Sequence, residues 1–236
     1  RFPANYNPVV SYDDSTLIYM TDRQNYREIL FTRRMPGGGW TEPRIINGEI
    51  GSEGDCYPTS LSSNGKELYL VKKDAYGSDI YISYLEDGRF SPMIPLNEHI
   101  NTEYFETHAS ISFNGKYLYF TSDRPGGQGA LDIWMSETTT RGDWGEPRNL
   151  GPKINSHYSE ETPFLAEGGR KLYFRLDDFV LSNTFPNTPA RIFIQSGGTM
   201  DREEVILREA TGEQGIYIGS IPTKYGTTPA QDEILQ

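Results

Sequence analysis

Three observations predict an all-β protein, and more narrowly a β-propeller of four-stranded blades with a repeat of about 50 residues. A hairpin phrase recurs four times, and a third-strand phrase followed by an aromatic-to-proline phrase recurs with it at the same period. The composition agrees: 24 glycines, 15 prolines and 13% aromatic residues in 236 suit short strands and turns better than long helices.

The hairpins read PVVSYDDSTLIYM from Pro8, PTSLSSNGKELYL from Pro58, HASISFNGKYLYF from His108 and PFLAEGGRKLYF from Pro163. Tyr19, Tyr69, Tyr119 and Tyr173 mark their common register, at intervals of 50, 50 and 54 residues. The turns fall at Asp14-Ser15, Asn64-Gly65, Asn114-Gly115 and Gly168-Gly169, and the last three pairs reach positive φ at little cost. A second strand follows each turn, as in Tyr117-Leu118-Tyr119-Phe120, whose residues pack well on a pleated surface. Glu28-Ile29, Asp79-Ile80 and Asp132-Ile133 begin a third strand. The phrases ending in Pro43, Pro92 and Pro147 start at Trp40, Gly88 and Trp144, and their aromatic residues Trp40, Phe90 and Trp144 lie 50 and 54 residues apart. Ile50, Ile100 and Ile154 close the units. One such sheet cannot bury both faces alone, so neighbours must stack on it, as propeller blades do.

The segments from Ser112 to Phe120 and from Thr121 to Gly127, with Asp132-Ile133-Trp134, resemble the TolB-related, WD-like (PD40-type) propeller repeats of bacteria. The likeness is greatest to those in OmpA-associated cell-envelope proteins of the Bacteroidota. It covers residues 1 to about 175. It implies a periplasmic or outer-membrane-associated location and a non-catalytic, protein-binding or scaffolding role. The implied partner is a protein component of the cell envelope, with the type IX secretion machinery as one candidate. No OmpA-type segment is visible, so peptidoglycan binding is not implied.

The grammar stops after Tyr173-Phe174, which divides the chain into blades over 1–175 and a second part over 176–236. The second part reads in two ways. Glu209, Gly215, Tyr217, Gly219 and Ile221 resemble the strand series of bacterial surface immunoglobulin-like modules, which implies a partial β-sandwich. Alternatively these residues are degenerate closing blades that share strands with the N-terminus.

Charge and cysteine content narrow the function classes. Lysine and arginine number 22 against 33 aspartates and glutamates, a formal charge of −11 that disfavours nucleic acid and anionic lipid. Cys56 is the single cysteine, so an intrachain disulfide and a cysteine-rich zinc site are both excluded. No apolar run approaches the roughly 18 residues of a membrane span. The start, RFPANYNPVV, has neither an initiator methionine nor a signal-peptide core, as expected of a mature or excised chain.

Catalytic signals are thin: no Gly-x-Ser-x-Gly elbow and no uniquely placed carboxylate pair, so neither catalytic residues nor a cofactor are assigned. Asp79 and Asp132 recur with the blade and read as scaffold, accepting backbone N–H groups from the preceding turn. Trp40, Phe90 and Trp144 recur likewise and read as packing between blades. His99, His108 and His157 read as loop polar residues. The acidic residues preceding the blades, Glu53 and Asp55, Glu103 and Glu106, and Glu160 and Glu161, are expected to gather on one face. That face could steer a basic partner or weakly hold calcium. A glycan-binding or glycan-hydrolysing protein is the alternative, expected to show a deep pocket with facing carboxylates and aromatic platforms. A binding module predicts a small channel and an exposed apolar rim.

Overall fold

Each of the first three hairpins is set by a serine. The hydroxyls of Ser11, Ser62 and Ser112 accept the N–H groups of Thr16, Glu67 and Tyr117, each at 2.9 Å. Inside these turns Asp13, Asn64 and Asn114 accept a backbone N–H two residues on, each at 3.0 Å. Asp14, Gly65 and Gly115 then take positive φ, at 60°, 66° and 71°. The first turn is thus Asp13-Asp14, one residue earlier than expected. The register marker moves with it: Ile18, opposite Val9, occupies the place held by Tyr69 opposite Ser60, Tyr119 opposite Ser110 and Tyr173 opposite Phe164. Tyr19 points to the other face of its strand.

A computed structural model describes residues 5–23, 26–73, 75, 77–166, 171–177, 190–195, 202–209 and 216–222. The first sheet holds β1 (Asn5–Val10), β2 (Thr16–Arg23), β3 (Tyr26–Arg33) and β4 (Arg44–Ile45) in chain order, followed by the one-turn helix α1 (Asn47–Ile50). The second holds β5 (Cys56–Leu61), β6 (Glu67–Lys73), β7 (Ser78–Glu86) and β8 (Arg89–Phe90), with β9 (Ile94–Pro95) also on β7. The third holds β10 (Glu106–Ile111), β11 (Tyr117–Ser122), β12 (Asp132–Glu137) and β13 (Arg148–Asn149). The fourth contains β14 (Ser159–Ala166), β15 (Lys171–Asp177), β16 (Ala190–Gln195), β17 (Arg202–Glu209) and β18 (Ile216–Pro222), in the order β14-β15-β18-β17-β16.

The core lies in three slabs between consecutive sheets. Ile18, Met20, Ile29 and Phe31 of the first sheet meet Leu68, Leu70 and Phe90 of the second. Tyr69, Val71, Ile80 and Ile82 then meet Leu118, Phe120 and Trp144 of the third, and Tyr119, Ile133 and Met135 meet Leu172 and Phe174 of the fourth. Alternate residues of each middle strand therefore serve the sheet before and the sheet after.

The all-β class stands; the closed propeller and the partial sandwich do not. The sheets are separate, and among the described residues no strand of the fourth pairs with one of the first. The fourth also abandons the consecutive order of the others, and β18 runs along β15 from Lys171–Pro222 to Asp177–Ile216, in the same sheet rather than in a facing one. The repeat dictates hairpins and neighbour-on-neighbour packing, which are local. Closure needs matching faces at the two ends, and there the repeat fails.

Candidate functional site

The first strands of the four sheets, β1, β5, β10 and β14, together line a cleft. Each carries a β-bulge, at Asn7-Pro8, Thr59, His108-Ala109 and Thr162-Pro163. Asn7, His108 and Thr162 hold positive φ there, at 48°, 50° and 53°, a conformation Pro58 cannot adopt at the cognate place. Bulges twist and re-aim a strand, which turns these edges into a concave wall. Between them the Ser60 hydroxyl accepts the Ile111 N–H at 3.1 Å and the Ser110 hydroxyl accepts the Leu165 N–H at 3.4 Å, tying β5 to β10 and β10 to β14.

The cleft has two compartments of about 230 Å³ each. Neither is lined by a charged carboxylate, lysine or arginine. One compartment opens on an apolar rim of Val10, Tyr12, Phe113 and Phe164, which are 47%, 47%, 50% and 61% exposed. Tyr12 and Phe113 meet edge to face, their centroids 4.7 Å apart. The other compartment holds Tyr57 and His108, with ring centroids 6.2 Å apart. Burial pushes the His108 imidazole down to about 4, and the charges of Lys73 and Arg175 add to that, so the ring is neutral at pH 7. Among the described residues nothing hydrogen-bonds its buried Nδ1.

The six acidic candidates differ in their surroundings. Glu106 and Glu160 are fully buried and are no partner surface. Each closes a turn: Glu106 accepts from the Thr102 amide and hydroxyl, both at 2.8 Å, and Glu160 from the Ser156 amide at 3.0 Å and the Ser156 hydroxyl. Cys56 takes the same place in the second sheet, donating to Ser52 Oγ at 3.1 Å. Asp55 pairs with Lys72 at 3.2 Å and Glu161 with Arg175 at 3.4 Å, whereas Glu53 and Glu103 are exposed. Among the described residues no group of three or more His, Cys, Asp or Glu side chains converges as a metal site.

Asp132, the scaffold candidate, accepts from the Gln128 amide and from the Gly129 amide at 3.1 Å. Asp79 occupies the cognate place at the head of β7. Phe90 and Trp144 are 4% and 7% exposed inside the slabs, while Trp40 is half-buried under Arg34, 5.6 Å from its ring. Trp40, Tyr19 and Tyr6 instead line an open groove of about 360 Å³ with Asn5 and Thr32. His99 bonds Glu146 at 2.8 Å, and His157 stacks on Tyr158 at 3.8 Å.

Two repeated devices escaped the sequence reading. Asn47, Asn101 and Asn155 accept the N–H groups of Ile29, Ile80 and Ile133 at 2.7, 2.8 and 2.9 Å, so each amide pins the head of a third strand. The dipeptide Ile-Asn at 46–47, 100–101 and 154–155 was the available signal. The turn closed by Glu106 and Glu160 was visible as a hydroxyl residue four places before a glutamate.

No protein family and no curated protein sequence matches the chain. Solved structures do. TolB from Acinetobacter baumannii matches 95% of this chain at 14% identity and a TM-score of 0.57, and this chain spans 55% of that protein's length. A putative TolB from Agrobacterium tumefaciens matches 94% of this chain and 91% of its own, at 16% identity and a TM-score of 0.55. A puromycin hydrolase matches 87% of this chain and 34% of its own, at 8% identity and a TM-score of 0.50. The fold therefore resembles that of TolB over most of the chain.

Proposed function

We propose that the chain is a non-catalytic, protein-binding module of a bacterial cell-envelope protein, periplasmic or outer-membrane-associated, and that a protein of an envelope secretion or outer-membrane assembly seats against its cleft. The carrying observation is the uncharged cleft with the apolar rim Val10, Tyr12, Phe113 and Phe164. Aromatic and aliphatic groups exposed to water on one wall favour an apolar partner segment. The TolB-like fold supports the envelope setting, and among the described residues no helix is long and apolar enough to cross a membrane. In this reading residues 1–175 form the repeated part and 176–236 a second part, of which β16, β17 and β18 belong to the last sheet. Glu53 and Glu103 with Asp55 and Glu161 supply peripheral negative charge that speeds encounter.

A photo-crosslinking residue at position 113 is expected to trap one envelope protein saturably in cells, with the adduct lost when Phe164→Asp is added. No adduct, or one indifferent to Phe164→Asp, would sink the proposal. The glycan reading has one observation in its favour: Tyr6, Tyr19 and Trp40 share a groove with the hydrogen-bonding side chains of Asn5 and Thr32. Calorimetric titration with neutral oligosaccharides, with and without Trp40→Ala, decides it.

A further inference from the structure

Glu106 and Glu160 close the same turn in consecutive repeats, but their surroundings differ. Glu106 also accepts from the Ser122 hydroxyl at 2.8 Å and pairs with the Arg124 guanidinium at 3.0 Å. Arg124 is itself buried over the rings of Phe120 and Trp134, at 4.9 and 5.5 Å. Glu160 has no such cation: among the described residues its partners are the hydroxyl and amide of Ser156. A second buried carboxylate stands nearby instead, that of Asp132, which is 2% exposed.

This carboxyl sits where the third and fourth sheets are joined. The Glu160 N–H donates to the Leu131 carbonyl at 2.8 Å and the Ala130 N–H to the Tyr158 carbonyl at 3.0 Å, and Leu131 bridges Ser159 in parallel. Gly129 is pressed so closely on this connection that a Cβ would collide with the Tyr158 carbonyl. We infer that Glu160 is a proton-controlled latch: protonated, it holds the fourth sheet against the third, and ionised, it loosens that joint together with the Phe164 and Leu165 wall of the cleft.

Among the described residues the surrounding charges do not offset an ionised Glu160. Asp132 on β12 is an acid, Arg175 on β15 is engaged with Glu161, and Asp177 lies opposite Ser159 in the pairing of β14 with β15. On the connection before β14, His157 is exposed and Lys153 half-buried. Burial raises the Glu160 carboxyl to about 7, the Ser156 bonds oppose that rise, and Asp132 adds to it. A carboxyl whose folded value lies above its unfolded 4.5 binds more protons in the folded state. Its neutral form therefore supports the joint fully below pH 4.5, and that support is lost as pH rises to about 7.

The test is hydrogen exchange of β14, corrected for intrinsic rates, at pH 5 and pH 8, alongside the β5 strand as control. Between those values the opening constant of β14 is expected to rise about a hundredfold in the wild type. In Glu160→Gln, which stays neutral, the rise is expected to vanish, while Glu106→Gln keeps it. Carboxyl carbon NMR of the intact chain provides a second measurement, with Glu160 expected to titrate near 7. A Glu160 signal titrating near 4.5, or a pH response that survives Glu160→Gln, overturns the inference.

Discussion

The first and third sheets are built on the same repeat, yet the same positions meet different fates. On the third sheet Leu118, Phe120 and Trp144 face the second sheet and are buried, at 0%, 0% and 7% exposure. Their counterparts on the first sheet, Leu17, Tyr19 and Trp40, are only half-buried, and Tyr19 and Trp40 line a groove. Burial in a stacked array is thus a property of the neighbour as much as of the residue. A repeat can place a tryptophan in a fixed local setting, but it stabilises the fold only where another sheet covers it.

Substitutions can break or sharpen that contrast. Trp144→Ala empties part of a closed slab and is expected to cost about 3–5 kcal/mol in equilibrium urea unfolding. Asn101→Ala strips the acceptor from the Ile80 N–H at the head of β7 and is expected to cost about 1–3 kcal/mol. The same change at Asn47 or Asn155 should cost a similar amount, because the bond recurs in all three repeats. Trp40→Ala is expected to cost under about 1 kcal/mol, because the ring is half in water already. A Trp40→Ala loss equal to that of Trp144→Ala would mean that something covers the first sheet in solution. Phe113→Ser, on the exposed rim, should leave stability within about 0.5 kcal/mol and act on partner retention alone.

Much of the architecture was legible because it is local. Alternation, Asn-Gly turns and the Asp-Ile phrase specify hairpins and third strands through contacts a few residues apart, and the structure has them where the repeat puts them. The one-residue shift at Tyr19 shows the limit of that reading: the tyrosine matched by letter, whereas the hydroxyl of Ser11 and the side chain of Asp13 set the true register. The burial of two acidic candidates escaped the reading for a related reason. In sequence Glu106 and Glu160 look like Glu53 and Glu103, and only the turn they close draws them inward.

By itself the sequence determined the all-β class and the hairpins, since each depends on neighbouring residues and on the geometry of a strand. The tertiary structure decided the rest. Among the described residues it left the array unclosed, made a cleft by bending four edge strands at their bulges, covered Trp144 but not Trp40, and gave Glu106 an arginine but Glu160 none. These outcomes depend on which distant surfaces meet, and burial, field and complementarity exist only once they do.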